Sequence, residues 1–186
     1  MGERTRSRRR NDEAEPPGQE AAMEIGVRFL AARPRTRYEL ERRLRRAGAT
    51  DPTVDATLQR LAELGYLDDA AFARWWGEQR DRHAPRGRRM IEAELRRSGV
   101  PPDVIEAYRD EHVDPVRAPE DVALPGTEEE RAREALSSHL RGRPLPSEPK
   151  ARQRVGMFLM RRGFDAETVR GVIRAAGPDI DETLDG

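Results

Sequence analysis

Three kinds of residue in this 186-residue sequence carry chemistry: the histidines His83, His112 and His139, the adjacent aspartates Asp68 and Asp69, and arginines that recur behind pairs of apolar residues. The histidines are far apart and fall in no H-E-x-x-H or comparable ligand spacing. Cysteine is absent, which excludes disulfides and thiolate metal sites. Paired carboxylates can act as general acid and base. Asp68 and Asp69, however, stand just before an apolar helical stripe of Phe72, Trp75 and Trp76, where a helix start needs a side-chain acceptor, so they are expected to cap. With no phosphate-cradling glycine loop and no G-x-S-x-G elbow either, the expectation is a non-enzymatic binding protein without metal or cofactor.

The arginines form a pattern. Leu40 and Leu44 are followed by Arg45, Arg46 and Gly48, then by Val54 and Leu58. Ile91 and Leu95 lead in the same way to Arg96, Arg97, Gly99, Val104 and Tyr108, and Val155 and Leu159 to Arg161, Arg162, Gly163, Val169 and Ile173. Turning each apolar pair inward at about 100° per residue puts Arg42, Arg45 and Arg46 on the outer side of the first copy. The equivalent positions hold Ala93, Arg96 and Arg97 in the second copy and Met157, Met160 and Arg161 in the third. Together with Arg89 on the same helix of the second copy, Arg42, Arg45, Arg46, Arg96, Arg97 and Arg161 are the candidate contacts. Each guanidinium offers a planar fork to a carboxylate or a phosphate. Met157 and Met160 are odd on a plain solvent face and are expected to cover another element or to dock on a partner. A solvated helix face and the common origin of the copies account for the recurrence equally well. GC-rich coding accounts for the arginine usage, Lys150 being the one lysine.

A unit of helix, glycine stop and helix that occurs three times is a tandem repeat. Each unit is too small to bury much core alone, so neighbours are expected to stack. Hydrophobic residues make up 35% and charged residues 38%, which suits an elongated array. The 35 basic and 35 acidic side chains cancel, so any attraction to nucleic acid must come from local distribution. No apolar run is long enough for a membrane span, and no signal-peptide core follows the arginine-rich start. A cytoplasmic, monomeric protein is expected.

Residues 1–19 read as a disordered tail, its basic cluster Arg4 to Arg10 either solvated or touching nucleic acid electrostatically. Repeat one spans 20–67: a helix from Glu20 to Arg33, a second opened by the box Thr36 and Glu39 and closed by Gly48, and a third with Asp51 as N-cap and Pro52 in its first turn. Val54, Leu58, Leu61 and Leu64 should line that third helix. Repeat two spans 68–112, and its adjacent tryptophans point about 100° apart, so one is expected in the core and the other at a repeat junction or facing a partner. Its second helix should cover Arg88 to Ser98, and its third should start at Pro101 and Pro102 and fade after Asp110. Residues 113–126 read as a proline-containing acidic linker. Repeat three spans 127–177 and opens with the box Thr127 and Glu130; its second helix covers Lys150 to Arg162, and Asp165 caps its third. Residues 178–186 form an acidic tail. No strand pattern is present.

A helix, turn and helix also suggests DNA-binding units, but the following helices offer Asp55, Thr57 and Gln59, or Asp103, Glu106 and Asp110, and carboxylates there would repel phosphate. Basic second helices, contacting nucleic acid without sequence preference, suit that reading better.

The chain resembles the RecX family of bacterial recombination regulators. The resemblance rests on Tyr38, Glu39 and Leu40 leading to Leu44 and Gly48, and on the run Leu64, Gly65, Tyr66, Leu67, Asp68, Asp69 continuing to Phe72 and Ala73. It rests also on Gly87 with Ile91, Glu94, Leu95, Gly99 and Val100, and on Phe158, Leu159, Arg161, Arg162, Gly163 and Phe164. It implies an all-α array of three three-helix modules. It also implies a non-enzymatic partner of the RecA recombinase on single-stranded DNA that restrains filament extension, ATP hydrolysis, strand exchange and co-protease activity. A weak direct contact to single- or double-stranded DNA is a secondary expectation. The basic N-terminal extension and the segment 113–126 depart from the family pattern. A helical-repeat protein that binds nucleic acid without RecA is the rival reading.

Overall fold

The computed structural model describes residues 15–113 and 127–177. The expectations for the arginine cluster Arg4 to Arg10, for residues 114–126 and for the acidic end 178–186 lie outside the described residues. Among the described residues there are nine helices and no strand, and the fold is all-α. The described residues divide into two compact units, 15–35 with 39–67, and 36–38 with 68–113 and 127–177.

The first unit contains α1 (Gln19–Ala31), α3 (Asp51–Glu63) and all but the first turn of α2 (Arg37–Arg46). Its core is Ala22, Leu40, Leu44, Val54, Leu58 and Leu61, each 2% exposed or less. Burying one such leucine contributes roughly 1.5–3 kcal/mol, so the spacing of four that set the stripe also supplies most of the adhesion. Gly26 lets α1 approach α3, because a Cβ there would meet the Leu61 Cδ1 at 2.7 Å. Two details correct the sequence reading. The N-cap of α3 is Thr50, which places Asp51 at the first helical position and Pro52 at the second. Leu64 has already left the stripe as the C-cap and is 46% exposed, while Thr57, within the helix, is buried.

The second unit holds α4 (Asp69–His83), α5 (Arg88–Arg97), α6 (Pro102–Val113), α7 (Glu128–Leu140), α8 (Pro149–Arg161) and α9 (Ala166–Ala175). Two apolar clusters lie in it. One gathers Phe72, Ala73, Ile91, Leu95, Val100, Ile105 and Tyr108, and the other Ala132, Ala135, Leu136, Val155, Leu159, Phe164, Val169 and Val172. Neither tryptophan is fully buried. Trp75 and Trp76 both pack around Phe72, at 5.7 and 5.9 Å between ring centroids, so the division into one core and one junction residue does not hold. Helix α6 runs three residues beyond the expected end at Asp110, and α8 starts one residue before Lys150, where Glu148 accepts from the Ala151 amide and Pro149 needs no partner for a missing N–H. Three expected caps are present: Asp68 accepts from Ala70 and Ala71, Thr127 and Glu130 make the reciprocal box, and Asp165 accepts from Thr168.

All three second helices stop in one way. Gly48, Gly99 and Gly163 have φ of 86°, 80° and 91°, a region open to glycine at little cost. The next residue's amide reaches back five positions, Ala49 to Leu44, Val100 to Leu95 and Phe164 to Leu159, while each glycine amide bonds three back. This double bond satisfies two terminal carbonyls and tucks Ala49, Val100 and Phe164 into the core, which turns each chain toward its third helix.

Candidate functional site

With the apolar pairs of α2, α5 and α8 buried, the opposite sides of these helices face solvent. Arg42, Arg45, Arg46, Arg89, Arg96, Arg97 and Arg161 are all exposed, as are Met157 and Met160. The arginines differ in what engages them. Arg45 pairs with Glu41 four residues earlier and reaches Asp51 at 3.4 Å. Arg96 pairs with Glu92 at 2.8 Å, and Glu92 also takes Arg109 at 3.0 Å. Exposed pairs of this kind hold a side chain by only about 0.3–0.5 kcal/mol. Among the described residues no ion pair or hydrogen bond engages the side chains of Arg46, Arg97 or Arg161, the three that occupy one equivalent position. Arg89 is likewise unpaired among the described residues.

In the third module two methionines replace arginines, and the surface changes accordingly. Met157 and Met160, 53% and 43% exposed, line a groove of about 540 Å³ between α8 and α9. Val169 and Ile173 line its α9 side, and Arg152 and Arg170 flank it. Gly156 keeps the two helices close, since a Cβ there would meet the Ile173 Cδ1 at 3.3 Å.

Buried charge orders the second unit. Glu94 is 7% exposed and accepts from the Trp76 indole at 2.9 Å, the Arg80 Nε at 2.8 Å and Arg86. The Arg80 guanidinium also lies 4.3 Å from the Trp76 ring. An acid between Ile91 and Leu95 on a buried stripe, with arginines at 80 and 86, is the sequence signal for this cluster. Asp69 and Glu128 each open a first helix and accept the first amide of a second helix, Asp69 from Arg37 at 2.8 Å and Glu128 from Arg88 at 3.0 and 3.1 Å. Burial raises both carboxyls above their ordinary range, with these amides opposing it. Asp81 lies 3.8 Å from the buried Arg131 and has no hydrogen bond to either oxygen among the described residues. Burial pushes its carboxyl up to about 6, against the pull of Arg131, with Glu128 and Glu78 adding to the rise.

Among the described residues no group of three histidine or acidic side chains converges to hold a metal, and no helix is long and apolar enough to cross a membrane. Asp68 takes the expected capping role, its carboxylate accepting from the Ala70 and Ala71 amides at the start of α4.

Sequence comparison decides the kinship. Models of the first, second and third three-helix domains of RecX match residues 22–61, 68–108 and 127–173. The regulatory protein RecX of Thermobifida fusca is 39% identical over 181 residues, covering 89% of this chain and 90% of the relative. The chain belongs to the RecX family. The regulatory protein RecX of Mycobacterium avium is 38% identical over 164 residues, covering 87% of this chain and 88% of its own. A crystal structure of RecX from Lactobacillus salivarius shares the fold with a TM-score of 0.67 at 16% identity, covering 85% of this chain and 96% of that one. The RecX assignment agrees with the residues that carried the resemblance. Leu40, Leu44, Phe72, Ala73, Ile91, Leu95 and Leu159 prove to be core, and Gly48, Gly99 and Gly163 prove to be helix stops.

Proposed function

We propose that this chain binds the RecA recombinase on single-stranded DNA and restrains filament extension, ATP hydrolysis, strand exchange and co-protease activity, with no chemistry of its own and in the cytoplasm. Membership of a family of regulatory proteins supports the reading. The observation that carries it is the recurrence of an exposed arginine that no ion pair or hydrogen bond engages among the described residues, Arg46, Arg97 and Arg161, at one position of three modules. Modules on one chain raise each other's effective concentration along a periodic polymer, so weak arginine contacts to filament carboxylates or DNA phosphates add up to retention. The Met157 and Met160 groove supplies a different, apolar surface in the third module.

The test is RecA-dependent ATP hydrolysis on single-stranded DNA with and without this protein. The wild-type chain lowers the rate. A triple variant, Arg46→Glu, Arg97→Glu and Arg161→Glu, needs at least about tenfold more protein for the same inhibition, with its helical circular dichroism unchanged. Absence of inhibition by the wild-type chain, or equal potency of the triple variant, refutes the proposal.

A further inference from the structure

On the side of α8 that faces the 142–149 loop, a second hollow of about 450 Å³ is lined by His139, Phe158, Arg143, Arg154 and Arg161, with prolines and aliphatic side chains between them. Among the described residues no acid lines it, and the arginines are the charged side chains at its wall. Glu148 reaches Arg154 only at 3.8 Å, both side chains being more than half exposed. Arg143 is oriented by its own Nε, which donates to the Leu140 carbonyl at 3.2 Å. Arg161 has no intramolecular partner among the described residues.

The wall also holds a built aromatic stack. The His139 ring lies on Phe158 with centroids 3.9 Å apart and planes 17° from parallel. The Arg162 guanidinium lies 4.9 Å from the same Phe158 ring and is itself fixed by donating to the Pro85 carbonyl at 3.0 Å. Phe158 packs on the core of the third module, so the stack is anchored at its base, while His139 is exposed at its outer end. His139 is thus an exposed ring, stacked on an anchored one, at a wall that it shares with Arg143, Arg154 and Arg161.

Flat π faces next to a cationic lining match a ligand that alternates planar rings with negative charge. We infer that this hollow is a subsite for single-stranded nucleic acid, with a base stacking on His139 and backbone phosphates held by Arg143, Arg154 and Arg161. An acidic peptide would use the arginines but has no group for the imidazole face. The subsite goes beyond the RecA reading and does not depend on it.

The experiment uses the full-length chain without RecA. Fluorescence anisotropy follows binding of a labelled oligothymidylate of about ten nucleotides, and of the same backbone carrying abasic sites, across a salt series. The variants are His139→Ala and the double change Arg154→Glu with Arg161→Glu, each checked by circular dichroism. His139→Ala should weaken binding of the base-bearing strand about fivefold and leave the abasic strand unchanged. The double variant should weaken both strands at least tenfold and flatten the salt dependence. Lack of binding by the wild-type chain overturns the inference, as does an equal effect of His139→Ala on both strands. Binding of a polyglutamate peptide in place of the oligonucleotide overturns it too. Each of these results leaves the ATPase test of the RecA reading standing on its own outcome.

Discussion

Both carboxylate oxygens of Glu128 accept the backbone amide of Arg88, at 3.0 and 3.1 Å, so the first residue of α7 caps the start of α5 forty positions away. Gly87, the residue before α5, has no side chain with which to cap it. Glu128→Ala should therefore lower unfolding stability by about 1–3 kcal/mol, the cost of leaving a half-buried amide without an acceptor and of taking from Arg131 one of the two carboxylates beside it. Urea denaturation followed at the helical band measures this, and a variant as stable as wild type would remove the cap from the account.

Two glycines separate close packing from helix propensity. At Gly87 a Cβ would lie 2.2 Å from the Gly163 carbonyl carbon, backbone against backbone, so Gly87→Ala should cost about 2–3 kcal/mol. At Gly171, exposed inside α9, a Cβ meets nothing within 4 Å, and Gly171→Ala should raise stability by about 0.5–1 kcal/mol. Opposite signs in thermal unfolding are the expected result.

Asp81 gives a pH dependence with a defined sign. Its folded carboxyl is raised from 3.8 to about 6, so between these values the folded chain holds a proton that the unfolded chain releases. Stability from this group is full below the lower value and falls as pH rises through the upper one. Asp81→Asn removes the ionisation and should stabilise the protein at pH 7 by about 1–3 kcal/mol, with the gain vanishing below pH 4. A gain that does not shrink on acidification would contradict the assignment.

Glu94 predicts a combined loss of stability and change of fluorescence. Glu94→Ala strips three donors of one acceptor, Trp76, Arg80 and Arg86, and should cost about 3 kcal/mol. Tryptophan emission should shift as the Trp76 indole loses its partner, while a conservative change at the exposed Glu134 should alter neither.

The fold was largely readable in the sequence because its determinants are local. Apolar residues four apart, a glycine after the arginines, the box at Thr127 and the cap at Asp165 act within one or two turns. The boundary at Thr50 moved by one residue because Asp51 and Thr50 are both good caps, and choosing between them takes the backbone path. The half-buried positions of Trp75 and Trp76 were not readable, because Phe72, one turn away, gives both rings a surface at once. Of the candidate site, exposure of the second-helix arginines followed from periodicity. The capping by Asp69 and Glu128 and the stack of His139 on Phe158 did not, since their partners lie 19 to 40 residues away. No spacing rule in one sequence brings such residues together.

The approach of Gly87 to Gly163 also fixes where one cooperative unit ends. The Gly87 amide donates to the Arg162 carbonyl, and the next amide along is held by Glu128. Both amides belong to the second module by sequence, yet their acceptors belong to the third. In native-state hydrogen exchange they should open with α7, α8 and α9 instead of with the rest of α5. The seam that sequence draws between modules is thus displaced by a turn of helix from the seam along which the protein would come apart.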